Sequence, residues 1–170
     1  MNPYLESPMF TSIHALALAA LLGLSGPPWI SIEYPVNPLD QSMRGAFLLV
    51  HVFHHATPVV YPVAGTAEGI VNGERRTIKL AFTDTSRPGV YGLRRMWPTE
   101  GVWTLVIKMS RGDHGTDGAT AVVEIGTDGE IASVRVPSRQ ERGWTIPTDV
   151  SIAEIDKALR ARAGALASRP

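Results

Sequence analysis

Histidine is the residue type in this chain with the most chemistry to offer. Five are present, and His51, His54 and His55 fall close together, with His114 in a distant polar loop. Imidazoles ligate transition metals and titrate near neutrality. Their spacing constrains what they can do. In an extended strand His51 and His55 project to one side, about 13 Å apart, and His54 projects to the other. A strand that ended at Phe53 would let His54 and His55 converge with His114, giving a metal site. The opposing reading packs one histidine among Phe47, Leu49 and Phe53 and leaves two at a strand edge.

Other chemistry is narrower still. The chain has no cysteine, which excludes disulfides and thiolate-based metal or nucleophile chemistry. No Gly-x-Ser-x-Gly elbow is present, and Glu124 and Glu130 fall on strands of one hairpin without marking an acid/base pair. No catalytic residue is assigned, and the reading is of a non-enzyme. Lysine and arginine total 16, as do aspartate and glutamate, so no basic footprint for nucleic acid exists. Arg111-Gly112-Asp113 reads as a coincidental tripeptide in a polar loop. The pairs Arg75-Arg76 and Arg94-Arg95 offer charge to an acidic partner or to lipid headgroups. Trp97, ahead of Pro98, and Trp144, in a polar connector, are expected at the surface, where aromatics mark partner contacts. The expected partner-binding residues are therefore Arg94, Arg95, Trp97 and Trp144.

The elements that must position these groups fall into three segments. No lysine or arginine occurs before Arg44, and residues 9–24 are apolar up to the stop at Ser25-Gly26-Pro27-Pro28. Residues 1–28 therefore read as a signal sequence or membrane anchor. As a helix, residues 10–29 would span about 30 Å. Phe10, Leu16, Leu18, Leu21 and Leu22 would then lie in the bilayer, with Trp29 at its interface. Residues 29–136 alternate in short runs separated by turn residues. Asn72-Gly73 and Asp128-Gly129 are hairpin signals, and Gly65 and Gly69 mark close approach of neighbouring backbone. The run 46–54 is apolar on both faces and reads as a central strand. Residues 137–143 read as a polar connector. Ser151 to Glu154 matches a capping box ahead of an amphipathic helix carrying Ile152, Ile155 and Leu159.

The clearest pattern lies in residues 88–109. Tyr91 and Leu93 share a face, Pro98 to Gly101 turn the chain, and Trp103, Leu105, Ile107 and Met109 share the next face. Together the pattern predicts an all-β fold, an immunoglobulin-like antiparallel β-sandwich of about seven to nine strands. A hydrophobic helix at the N-terminus and an amphipathic helix at the C-terminus flank it. Arg87-Pro-Gly-Val-Tyr91 and Trp97-Pro-Thr-Glu-Gly-Val-Trp-Thr-Leu-Val-Ile107 resemble an element of bacterial envelope sandwiches, the FixH-like and YtkA-like domains and their relatives. The resemblance spans residues 29–125. It implies a membrane-associated accessory or scaffold subunit on the periplasmic side of the inner membrane. Such a subunit is held to the lipid bilayer by its N-terminal segment and docks on subunits of a respiratory or photosynthetic membrane complex. The sequence itself points to no cofactor, and copper enters only under the alternative. The alternative it carries is a periplasmic copper-handling protein using His51, His54, His55 or His114; Met1, Met9, Met43, Met96 and Met109 form no methionine-rich copper motif.

Overall fold

A computed structural model describes residues 26–112 and 117–168. The predicted N-terminal helix, with Phe10, Leu16, Leu18, Leu21 and Leu22, lies outside the described residues, as does His114. Among the described residues no helix is long and apolar enough to cross a membrane.

The described chain is mostly β, with one C-terminal helix. Its strands are β1 (Trp29–Glu33), β2 (Leu48–His54), β3 (Thr57–Pro58), β4 (Val63–Val71), β5 (Glu74–Lys79) and β6 (Phe82–Asp84). They continue as β7 (Val90–Leu93), β8 (Val102–Arg111), β9 (Asp117–Ile125), β10 (Ile131–Arg135), β11 (Ser138–Glu141) and β12 (Trp144–Pro147), and the helix α1 (Ile152–Ala167) follows. Twelve strands exceed the expected count because short pieces such as β3, β11 and β12 carry no apolar alternation. The first sheet has the order β1-β2-β7-β6, with β3 added beside β2. The second has the order β10-β9-β8-β4-β5, and β11 and β12 form a separate hairpin. All pairings are antiparallel.

The two large sheets face one another across one apolar core. Ile30, Leu48, Val50, Val52, Tyr91 and Leu93 of the first sheet meet Trp103, Leu105, Ile107, Met109, Ala121 and Val123 of the second. Each full burial of such a leucine or isoleucine is worth about 1.5–3 kcal/mol. The period-2 reading of residues 88–109 is therefore the core itself, but β7 and β8 lie in different sheets, and Pro98 to Gly101 carry the chain across. Ile78, Leu80 and Phe82 alternate as one strand face would over residues 76–83, yet this run also divides: β5 ends in the second sheet and β6 begins in the first. At the crossing Leu80 N donates to Gly65 O at 2.9 Å.

Strand β2 is central and apolar on both faces, as expected, and its alternation corrects one contact. Leu49 points outward, into a small cluster with Met43 and Val90, while Phe47 and Phe82 do reach the core. The outer face of the second sheet is covered as well. There Val102 and Val122 pack beneath Val150, Ile155 and Leu159. The capping box forms: Glu154 N donates to Ser151 Oγ at 3.2 Å, and Ser151 N donates to Glu154 Oε2 at 2.8 Å. Ile152, assigned to the buried stripe, is instead 74% exposed. It is the first helical residue, ahead of the turn that touches the sheet.

Turn chemistry explains the hairpins. Asn72 and Gly73 have φ of 51° and 81° between β4 and β5, as a type I′ turn requires. Arg142 and Gly143 repeat this at 50° and 83°, so the expected polar connector folds back as β11 and β12. At 126–130 only Gly129 has positive φ, 85°, and Gly129 N donates to Gly126 O at 3.0 Å. That is a type I turn followed by a glycine bulge.

Candidate functional site

The two ends of the sandwich differ in chemistry. At one end the chain enters through Pro27 and Trp29. The register pairs Trp29 with Phe53, and with Pro27, Ala56 and Thr145 these two line an open, largely apolar hollow of about 550 Å³. Trp29 is half-buried. Trp144 sits beside Thr145 on β12 and is 45% exposed, at the surface as expected.

The other end carries three exposed arginines, with Asp84 lining the same small hollow as Arg44 and Arg94. Leu48 pairs with Leu93 five residues along β2 from Phe53, so Arg94 and Arg95 emerge roughly 17 Å away along the strand direction. Arg94 Nη2 donates to Arg44 O at 3.1 Å. The Arg95 guanidinium lies 5.8 Å from the ring centroids of both Phe47 and Trp97, within cation–π range. Arg44, Arg94 and Arg95 are all exposed.

Trp97 itself corrects the expectation. It is only 3% exposed, meeting Phe47 edge-on at 5.2 Å, with Tyr34 5.3 Å beyond Phe47. The ring lies inward, as a floor beneath Arg95. A partner would meet the arginine and not the indole. Trp97 Nε1 is buried and has no hydrogen-bond partner.

The histidines separate. Strand β2 runs through His54, not Phe53, and His55 and Ala56 form a two-residue turn with φ of 52° and 59°. His51 Nε2 lies 2.7 Å from Glu33 Oε2 on the outer face of the first sheet, with its ring parallel to Phe53 at 6.2 Å. The turn removes His55 from the extended-strand geometry that would have set it on the side of His51. His54 and His55 do converge, with ring centroids 4.0 Å apart, and Tyr61 Oη lies 3.5 Å from His54 Nδ1. Among the described residues no group of three or more metal-ligating side chains is gathered, and His54 and His55 are the two imidazoles brought together.

Elsewhere, charged groups are tied into the architecture. Arg75 bridges Glu68 at 2.7 Å and Asp156 of α1 at 2.8 Å. Burial would raise the Glu68 carboxyl, but hydrogen bonds from Thr66, Thr77 and Arg75 hold it below its ordinary value. Asp149 accepts from Thr120 at 2.7 Å and pairs with Lys108 at 3.0 Å, which lowers it too. Arg76 pairs with Glu74 at 2.7 Å. Neither member of the Arg75-Arg76 pair is thus a ready lipid contact.

Sequence reasoning missed Arg162. It lies three residues after Leu159 and seven after Ile155, a charged residue at a position of the buried stripe, and that position is the signal that could have found it. Its Nη1 donates to Trp103 O at 3.1 Å and Thr104 Oγ1 at 2.9 Å, and Nη2 donates to Ile125 O. No family model, no curated protein and no solved structure matches this chain.

Proposed function

We propose that the chain is a non-enzymatic accessory or scaffold subunit, held at the membrane by residues 1–28, that docks on a larger membrane protein complex from the periplasmic side. The observation that supports this reading is the opposition of the two ends. The apolar segment 9–24 is separated from Pro27 by Ser25 and Gly26 alone, and Pro27 opens onto the aromatic hollow of Trp29 and Phe53. With that end against the bilayer, Arg44, Arg94 and Arg95 point away from lipid. An acidic protein surface then becomes their natural partner, in preference to headgroups. The ordered strands suit a rigid spacer between these ends. We read their order as immunoglobulin-like, with β1-β2-β7-β6 as strands A-B-E-D and β5-β4-β8-β9 as C′-C-F-G.

The test is native extraction of membranes from cells expressing the full chain. The wild type is expected to migrate with a large membrane complex. The variant carrying Arg94→Glu and Arg95→Glu should stay in the membrane fraction but leave the complex. A soluble monomer carrying stoichiometric copper would overturn the reading and favour the second one, copper handling. That alternative rests on the adjacent His54 and His55 rings, and its metal should then be lost in His54→Ala.

A further inference from the structure

We propose that the hollow between α1 and the near ends of β8 and β9 binds a small organic carboxylate with a short aliphatic tail, gripped by Arg162. The hollow holds about 310 Å³, and Gly101, Val102, Ile125, Ala132, Arg162 and Leu166 contribute to its lining. That is the lower range of small-molecule sites. Its walls are mostly apolar, and Leu166 stands 39% exposed at its side. Among the described residues that line it, Arg162 is the one cation.

The state of that cation carries the argument. Arg75, Arg76, Arg87 and Arg139 each face a carboxylate within ion-pair distance. Arg162 is half-buried, yet its three hydrogen bonds go to neutral oxygens, two of them backbone carbonyls. A guanidinium carries five N–H donors, so the Nε–H and one Nη2–H have no acceptor among the described residues. Glu124 exerts the one favourable charge effect on Arg162, but makes no ion pair with it and instead accepts from Ser133 Oγ at 3.1 Å. A partly desolvated guanidinium with spare donors is complementary to a carboxylate. Apolar walls around a single cation favour a monoanion with a hydrocarbon tail over a heavily hydrated dianion. The clamp that Arg162 makes between helix and sheet fixes the fork in place, so a ligand meets a preorganised site.

The test uses the full chain, sodium pentanoate as probe, and the backbone amide resonances of Gly101, Gly126 and Thr127 as readout. Pentanoate should produce saturable shifts at these three amides. Pentan-1-ol, which keeps the tail and loses the charge, should bind at least about tenfold more weakly. Inorganic phosphate should not reproduce the shifts. Arg162→Gln should abolish them, but it also weakens the clamp. Ala132→Phe therefore provides the decisive variant: it leaves Arg162 untouched, fills the hollow from an exposed position on β10, and should remove binding without lowering the unfolding midpoint. Absence of saturation, equal binding of the alcohol, shifts reproduced by phosphate, or full binding by Ala132→Phe would each overturn the proposal.

Discussion

Replacing Gly69 by alanine should destabilise the sandwich by about 1–2 kcal/mol, against the usual stabilising direction of a glycine-to-alanine change. Gly69 on β4 is paired directly with Trp103 on β8. A Cβ added there would lie 2.6 Å from Trp103 Cζ3 and 2.7 Å from Cδ2, where carbon atoms prefer about 3.5–4.0 Å. The ring cannot step aside cheaply. It is 2% exposed, and its Nε1 donates to Glu100 O at 2.8 Å. Overpacking of this kind costs about 1–3 kcal/mol, and the reduced freedom of the unfolded chain returns about 0.4–1 kcal/mol. Urea unfolding followed by far-UV circular dichroism measures the net effect, and the thermal midpoint should fall by about 2–4 °C per kcal/mol. Trp103→Phe, made alone and together with Gly69→Ala, isolates the clash. With the larger ring gone, most of the alanine cost should vanish, giving a coupling of about 1 kcal/mol or more. Equal cost in both backgrounds, or no cost at all, would refute the reasoning.

Three further outcomes follow from the same geometry. Ala56→Gly should raise the unfolding midpoint, because the φ of 59° at Ala56 costs an L-residue about 1–2 kcal/mol and glycine gives back about 0.5–1 through its freer unfolded state; a lowered midpoint would contradict this. Leu159→Ala, fully buried under α1, should cost about 2–5 kcal/mol, and amide exchange should show α1 opening ahead of the sheets. The Asp149, Glu154 and Glu68 carboxyls are all held below their ordinary values: Asp149 first by the Thr120 hydroxyl, Glu154 first by the Ser151 backbone amide, and Glu68 by hydrogen bonds that outweigh its burial. A depressed folded value adds stability above the unfolded one and loses it as pH falls through the folded one. Stability should therefore decline as pH drops below about 4.5, the ordinary value of the two glutamates, and Thr120→Val should make that acid decline shallower.

The core was legible because the sheets demand strict alternation. Trp103, Leu105, Ile107 and Met109 could be placed on one face from period alone, and Asn72-Gly73 and the Ser151 box announced their own geometry. Three features were not legible. His55, Ala56 and Arg142 adopt positive φ at turn positions usually held by asparagine or glycine, so the backbone pairing imposes what these side chains do not request. The run 76–83 crosses between sheets at Leu80 without any break in its apolar spacing. Trp97 reads as exposed because it stands ahead of Pro98, whereas its burial comes from Phe47, some 50 positions earlier in the chain. The candidate contact surface suffered most from this. Charge could be read locally, but which aromatic ring lies beneath it could not.

The helix α1 has a consequence for how this protein comes to exist. Val102 and Val122 sit on the outer face of the second sheet, and the residues that shield them, Val150, Ile155 and Leu159, are synthesised after every strand. A chain emerging from the ribosome, or threading vectorially through a translocation pore, can thus close its central core before that outer face has a cover. During that interval the nascent sandwich presents an apolar strip to whatever surrounds it. Chaperone dependence, and the misfolding of truncated products, should accordingly concentrate in the last stage of synthesis.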